Sequence, residues 1–592
     1  MPTDSVQNRT FKDILNGTVR FEIPFFQRGY AWDKKQWDQL FTDIQEQLIS
    51  EINDGKSVTD VEHFFGPIVV LEKLGGAAQL KEFLVVDGQQ RITTVYLLLA
   101  MIVDQLKAKK QLSPNAHEHI AQISKFLVND VQNSDDYMKM KVFSCKGDRL
   151  PTYRMVFGTE ANPNTPFLST DLQLYVPETN RINAFRAHVM RKHGLQHFDV
   201  PSLWQLAQVV LNCLKVVWIP LDARKDDPQA IFESLNDKGM PLSASELLCN
   251  FLFRPIIDAK ENYEQLHNDQ WLATIRLLGD SDAFENYLRN LFSIGESKMV
   301  GKNRKVYVHF KNKNKTISAT SAKETLRTIT SCAKHFRSIL DPLGHPHPSE
   351  KINSLLININ STRMESETPF TLAVLRAHSA GTLAESVACK LLREALVLLV
   401  RRKMCELSTT QYDSIFPSLL DKAIGEIDPV RALHEQFRKQ EVWVSDQEFE
   451  TALQTKPAYR TRDLPFSRMV LIELDRRLQS FGQLPDYSTI NSIEHILPQN
   501  LDDAWLMYLK EDANDEHREM LTQTLGNLCL LSVPANSSAG QNPFEAKKNS
   551  YSPVCALTKQ IIDYPGSWNL KAIRTRSKEL ATIALEIWKW GE

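Results

Sequence analysis

Apolar and polar positions along this chain follow two different rhythms. Near the N-terminus, Asp33 reads as a helix cap, and Trp37, Leu40, Phe41, Ile44 and Leu48 recur at the spacing of an amphipathic helix. Phe64 to Leu71 and Glu82 to Val86 are short runs rich in β-branched and aromatic residues, the pattern of strands. The second run leads through Asp87-Gly88-Gln89-Gln90-Arg91 into a helix predicted over Ile92 to Leu106. Residues 112 to 200 are mixed in pattern, with Asn162-Pro163-Asn164-Thr165-Pro166 as a loop. Val216 to Leu221 is another strand candidate, followed by a helix holding Ile231-Phe232-Glu233-Ser234-Leu235. From about 243 to 480 the helical period dominates, as in Cys389 to Cys405 and Phe466 to Leu478. From Ser488 onward the pattern is α+β.

A chain of 592 residues exceeds one core, so several domains are expected. With 42% hydrophobic and 24% charged residues it can bury large cores and is not broadly disordered. A net charge of -2 gives no global pull toward nucleic acid, so any DNA contact must come from local patches. The eight cysteines are scattered without a CxxC pair and read as buried thiols of a reducing compartment. The N-terminus lacks a signal-peptide pattern, and the longest apolar stretch, Val95 to Val103, is well short of the roughly 20 residues of a membrane span. A soluble, cytoplasmic protein with no membrane partner is expected.

Chemistry concentrates in two places. In Ser492-Ile493-Glu494-His495-Ile496-Leu497-Pro498-Gln499-Asn500, followed by Gly526-Asn527-Leu528 and Asn536, an acid stands beside a histidine with two asparagines downstream. Phosphodiester hydrolysis needs an activated water and a cation to offset transition-state charge. His495 fits the base, and Glu494 and Asn536 fit oxygen ligands of one hard cation, Mg²⁺ or another divalent metal such as Mn²⁺. Asn527 joins His495 in the catalytic set as the residue that fixes the loop or the imidazole. Neighbours on a regular strand face opposite ways, so Glu494 shares the site with His495 only if the strand ends or bends there; Pro498 makes an ending reasonable. Lys547 and Lys548 are DNA-contact candidates, or else part of a solvated helix face.

The second place is Asp87-Gly88-Gln89-Gln90-Arg91-Ile92-Thr93-Thr94, a glycine-containing turn between a strand and a helix. Backbone N–H groups there, with an arginine and hydroxyls nearby, make a phosphate cradle, although a capping Asp and Gly explain part of the pattern. No P-loop motif is present. The basic run Lys298 to Lys315 is either a DNA-contacting insertion or a solvated loop. Tyr30 and Trp32 either read a flipped base or pack.

The C-terminal blocks Glu494-His495-Ile496-Leu497-Pro498-Gln499, Gly526-Asn527-Leu528-Cys529-Leu530-Leu531, Asn536 and Phe544-Glu545-Ala546-Lys547-Lys548 resemble the HNH (ββα-metal) nucleases, in the domain-of-unknown-function 1524 branch. Phe25-Phe26-Gln27-Arg28-Gly29-Tyr30-Ala31-Trp32, Phe65-Gly66-Pro67-Ile68-Val69-Val70, the Asp87 turn and Ile231 to Leu242 resemble the domain-of-unknown-function 262 family, with a fold similar to ParB and sulfiredoxin. That resemblance implies a nucleotide site lined by Asp87, Gly88, Gln89, Gln90 and Arg91, with Gln27 and Arg28 nearby; Glu233 and Asn236 either complete it or end a helix.

The combination resembles the GmrSD-type modification-dependent (type IV) restriction enzymes. The implied fold class is α+β and mostly helical: a ParB/sulfiredoxin-like α/β domain over 1–255, a helical middle over 256–400 and an HNH domain over 401–592. The implied function is cleavage of modified phage DNA, gated by binding or hydrolysis of a nucleoside triphosphate (GTP, UTP, CTP or ATP), with a homodimer left open. A nucleotide-dependent DNA-binding regulator and a toxin-like nuclease against host nucleic acid are the other readings.

Overall fold

The computed structural model describes residues 6–24, 27–73, 80–109, 113–131, 136–145, 147–158, 180–222, 242–259, 261–479 and 484–591. Phe25, Phe26, the 162–166 loop and the block Ile231 to Pro241, with Glu233 and Asn236, lie outside them. Contacts group the chain into two compact units, Met1–Pro255 and Ile256–Glu592.

The first unit is built on a six-stranded mixed sheet: β1 (Gln7–Thr10), β2 (Val19–Glu22), β3 (His63–Glu72), β4 (Lys81–Asp87), β5 (Val142–Phe143) and β6 (Leu214–Leu221), in the order β1-β6-β3-β4-β2-β5. β3 runs parallel to β6 and antiparallel to β4, and β2 runs parallel to both β4 and β5. The predicted strands at 64–71, 82–86 and 216–221 are therefore three adjacent interior strands of the sheet.

Asp33 does cap a helix, α1 (Lys34–Thr42), in a reciprocal box with Gln36. The backbone then widens into a π-helical stretch, Asp43–Ile49, that continues the same apolar stripe. The predicted 92–106 helix is α2 (Gln89–Lys109), apolar nearly all round and packed against the Asn115–Ser124, Arg149–Phe157 and Val200–Asn212 helices. α3 (Arg181–Lys192) ends at His193.

The second unit is mostly helical. The basic run expected as an insertion is itself partly a helix, α4 (Arg304–Lys313), whose Val306, Tyr307 and Phe310 are buried. α5 (Glu385–Met404) runs without a break across the expected 400/401 boundary, and its Arg401 is fully buried, bonded to the Val444 and Trp588 carbonyls. α6 is Leu464–Leu478. A two-stranded antiparallel sheet follows, β7 (Ser492–His495) paired with β8 (Leu528–Leu531), and then α7 (Val533–Ala539), α8 (Phe544–Ser550) and α9 (Leu570–Ile587). No helix among the described residues is long and apolar enough to cross a membrane.

Candidate active site and nucleotide-binding turn

β7 ends at His495, which pairs with Leu528 on β8, and α7 begins two residues after β8. Two antiparallel strands and a helix thus carry His495 and Asn536 on one small scaffold. Glu494 faces inward and is buried, as strand alternation requires, while His495 on the opposite face is half-buried.

The His495 ring is held on several sides. Its Nε2 lies 3.0 Å from Gln523 Oε1, and Tyr459 packs edge-on with ring centroids 4.4 Å apart. Gln499 Nε2 lies 3.0 Å from Nε2 and 3.4 Å from Nδ1. The two 3.0 Å contacts call for opposite tautomers: Nε2–H would donate to Gln523 Oε1, whereas a bare Nε2 would accept from the Gln499 amide. Burial lowers the His495 pKa to about 4, with the Gln523 bond opposing and the Lys547 charge assisting. The imidazole is therefore neutral near pH 7, the state a base requires.

Asn527 is fully buried and spends its whole side chain on positioning. Its Oδ1 accepts from Leu497 N (2.8 Å) and Trp568 Nε1 (3.1 Å), and its Nδ2 donates to the Leu497 carbonyl (2.8 Å) and the Thr522 carbonyl (2.9 Å). Of the two roles open to it, it fixes the loop after His495; with no amide group to spare it does not meet substrate. Asn536 donates from Nδ2 to Ser492 Oγ (2.6 Å) and the Ile493 carbonyl (3.0 Å), two residues before His495. Its Oδ1 has no partner among the described residues and remains an oxygen donor.

The Glu494 carboxylate faces away from the His495 ring, and its Oε1 accepts from Lys547 Nζ (2.6 Å) and Tyr551 OH (3.0 Å). Lys547 is not a surface contact for DNA, because it is 1% exposed and also bonds the His495 carbonyl at 2.9 Å. Lys548 also folds back, donating to the Tyr564 carbonyl at 2.6 Å over the Phe544 ring. Strand alternation hides the first group, and the 53-residue separation between Glu494 and Lys547 hides the pairing from any local pattern.

The donor set fits a Mg²⁺-like ion in part. Asn536 Oδ1 supplies one amide oxygen, and such an ion takes most of its remaining shell from water and phosphate oxygens. The Glu494 carboxylate would join only if Lys547 gave it up.

In the first unit the turn after β4 brings its predicted residues together. Gly88 has φ +92°, and a Cβ there would meet the Pro67 carbonyl at 2.9 Å, so glycine is required by conformation and by packing on β3. Gly88 O accepts the first α2 bond, from Ile92 N. Arg91 donates to the Pro67 carbonyl at 3.0 Å and lies 3.7 Å from Asp87. Burial raises the Asp87 pKa, against the nearby Arg91 and Arg28 charges and the Gly88 N–H.

Gln27 Nε2 bonds the Val85 and Val86 carbonyls at the end of β4. Gln90 links Ala31 N and the Gly29 carbonyl, fastening the 27–32 segment over the turn. Gln27 Oε1 and Gln89 Oε1, on side chains 6% and 7% exposed, have no hydrogen-bond partner among the described residues. Unsatisfied buried oxygens are costly and point to a missing donor. Tyr30 is buried, its hydroxyl shared between Thr94 and Trp37, and Trp32 packs edge-on against Phe65, so packing is the role of both.

Gln523, Tyr459 and Trp568 escaped sequence reasoning, since nothing local marks them. Gln499 stood inside the quoted motif without a role.

Comparison with known families gives two matches. Residues 9–253 match the model for the GmrSD restriction endonuclease N-terminal domain, and residues 443–583 match the model for the GmrSD restriction endonucleases' C-terminal domain. No curated protein matches the chain.

Proposed function

The chain belongs to the GmrSD restriction endonuclease family, and on that premise we propose that it cuts modified invading DNA at His495 under control of a nucleotide bound at the Asp87–Arg91 turn. The observation that carries the nuclease reading is the placement of a neutral, oriented imidazole at the end of β7, with a spare amide oxygen on the helix after β8. A strand–strand–helix scaffold of this kind supports the HNH reading.

In this reading the unprotonated ring nitrogen of His495 takes the proton of the attacking water, and Gln523 orients the imidazole. Asn527 keeps the 496–497 backbone rigid behind the base. Asn536 offers its Oδ1 to a divalent cation, which when bound offsets charge on the scissile phosphate. In the first unit, the N–H groups at the start of α2 and Arg91 bind the phosphates of a nucleoside triphosphate. The unpartnered oxygens of Gln27 and Gln89 accept from its polar groups, and Asp87 serves hydrolysis.

The test is cleavage of unmodified, glucosylated and phosphorothioated DNA with Mg²⁺ or Mn²⁺, with and without each triphosphate. Wild-type protein should cut one modified substrate and respond to one nucleotide. His495→Ala should abolish cleavage while keeping nucleotide turnover, and Asp87→Ala should lose turnover and alter the control of cleavage. Undiminished cleavage by His495→Ala would remove the assignment of the base, and unchanged cleavage and restriction in Asp87→Ala would remove the coupling.

A further inference from the structure

Away from the Asp87 turn, the first unit gathers three metal-ligating side chains. Asp38 on α1 faces His188 on α3 and His193 at its C-cap, with one candidate ligand atom from each within 4.8 Å of the others. Asp38 Oδ1 lies 2.7 Å from His188 Nε2 and 3.0 Å from His193 Nε2. The other carboxylate oxygen, Oδ2, accepts from Lys192 Nζ at 2.6 Å. The histidine side chains are 11% and 10% exposed and lie against aromatic walls, His193 stacked on Phe41 at 4.1 Å and His188 tilted against Trp37 at 5.4 Å.

We propose that Asp38, His188 and His193 form a binding site for a divalent transition metal of the zinc class. Both imidazoles aim the same nitrogen at one carboxylate oxygen, and Lys192 occupies the other oxygen, which leaves Asp38 monodentate. Two imidazoles and one carboxylate suit Zn²⁺, and are too nitrogen-rich for Mg²⁺ or Ca²⁺. Zn–N and Zn–O bonds of roughly 2.0–2.1 Å in a tetrahedron separate ligand atoms by about 3.3 Å. Asp38 Oδ1 at 2.7 Å from His188 Nε2 and 3.0 Å from His193 Nε2 is thus short of that spacing by about 0.6 and about 0.3 Å, and water completes the shell. Lys192 on Oδ2 serves as the outer bond that orients the carboxylate.

The ion clamps α1 to the end of α3. Trp37, next to Asp38, donates to Tyr30 OH, which bonds Thr94 on α2, so the clamp bears on the segment that covers the Asp87 turn.

The experiment strips the full chain with a chelator and titrates it with ZnCl₂ against a chromophoric competitor, then with CoCl₂. The proteins are wild type, Asp38→Asn, His188→Gln/His193→Gln and, because the nuclease site also offers metal ligands, His495→Ala. Wild type and His495→Ala should bind about one equivalent of Zn²⁺ more than the two cluster variants and gain thermal stability with it. Their Co²⁺ complexes should absorb in the visible, and those of the cluster variants should lack that band. Equal Zn²⁺ uptake and identical Co²⁺ spectra in wild type and Asp38→Asn would overturn the proposal and leave a purely proton-bonded cluster. Asp38→Asn is near-isosteric, so it decides the matter even if the double variant fails to fold.

Discussion

Lys547 Nζ lies 2.6 Å from Glu494 Oε1, and the two side chains are 1% and 5% exposed. The ion pair sits directly behind the strand whose last residue is His495, and Lys547 also holds the His495 carbonyl. It is part of the frame that presents the imidazole.

Removing one partner should therefore cost more than removing both. Lys547→Met strands a carboxylate in the interior and should destabilise the second unit by about 3–5 kcal/mol at pH 8. Burial already raises the Glu494 pKa, and loss of Lys547 raises it further. The folded value then exceeds the unfolded one, so stability is retained at low pH and lost as pH rises through the folded value. Urea melts of Lys547→Met at pH 5 and pH 8 should show this slope, and Glu494→Gln/Lys547→Met should be milder and keep only the pH dependence of the wild type's other groups. Equal loss in single and double variants would mean the pair is not coupled.

The acid limb of cleavage is expected to be low. With the His495 pKa lowered to about 4, the base stays unprotonated down to about pH 5, and the log(kcat/KM) profile should be level from pH 6 to 8. Gln523→Leu removes the bond that favours the protonated ring and should shift the limb lower still while reducing kcat through loss of orientation. A limb near pH 6.5 in wild type would show a solvated His495 instead.

The same shift bears on stability. His495 has a folded pKa below its unfolded value, so the unfolded chain binds the extra proton between about pH 6.5 and 4, and stability falls as pH drops through that window. His495→Asn should lessen that fall in chemical denaturation series.

Gly66 adopts φ +108°, and a Cβ there would stand 2.6 Å from Arg91 Nε. Gly66→Ala should push Arg91 off the Pro67 carbonyl and weaken triphosphate binding about tenfold or more, read by calorimetry, with the fold of the second unit unchanged. Unaltered affinity would place the phosphates away from Arg91.

Much of this was legible in the sequence where the signal is local. Asp87 to Arg91 could be placed between strand and helix because a β-rich run, a glycine and an apolar helix follow in order, and the structure puts β4, Gly88 and α2 there. His495 at a strand end was legible from Pro498. The Glu494–Lys547 pair was not legible, because tertiary packing of α8 on β7 sets it. The Lys547 charge read as solvent-facing for the same reason: no pattern within α8 announces an acid waiting on the strand. Gln523 and Trp568 lie in stretches whose composition is ordinary, and only folding brings them to His495 and Asn527.

Gly526, just before Asn527, leaves room for α9 to approach so closely that a Cβ would meet the Ile573 carbonyl at 2.1 Å. Arg576 on α9 donates to the carbonyls of Gly526 and Leu528, and Trp568 bonds Asn527. α9 in turn runs on into Trp588, whose carbonyl is held by Arg401. The frame around His495 is thus not a cassette that can be lifted out at position 401 or grafted onto another scaffold. A portable version has to carry α5 and the C-terminal helix with it, and swaps between relatives should exchange the whole of residues 256–592.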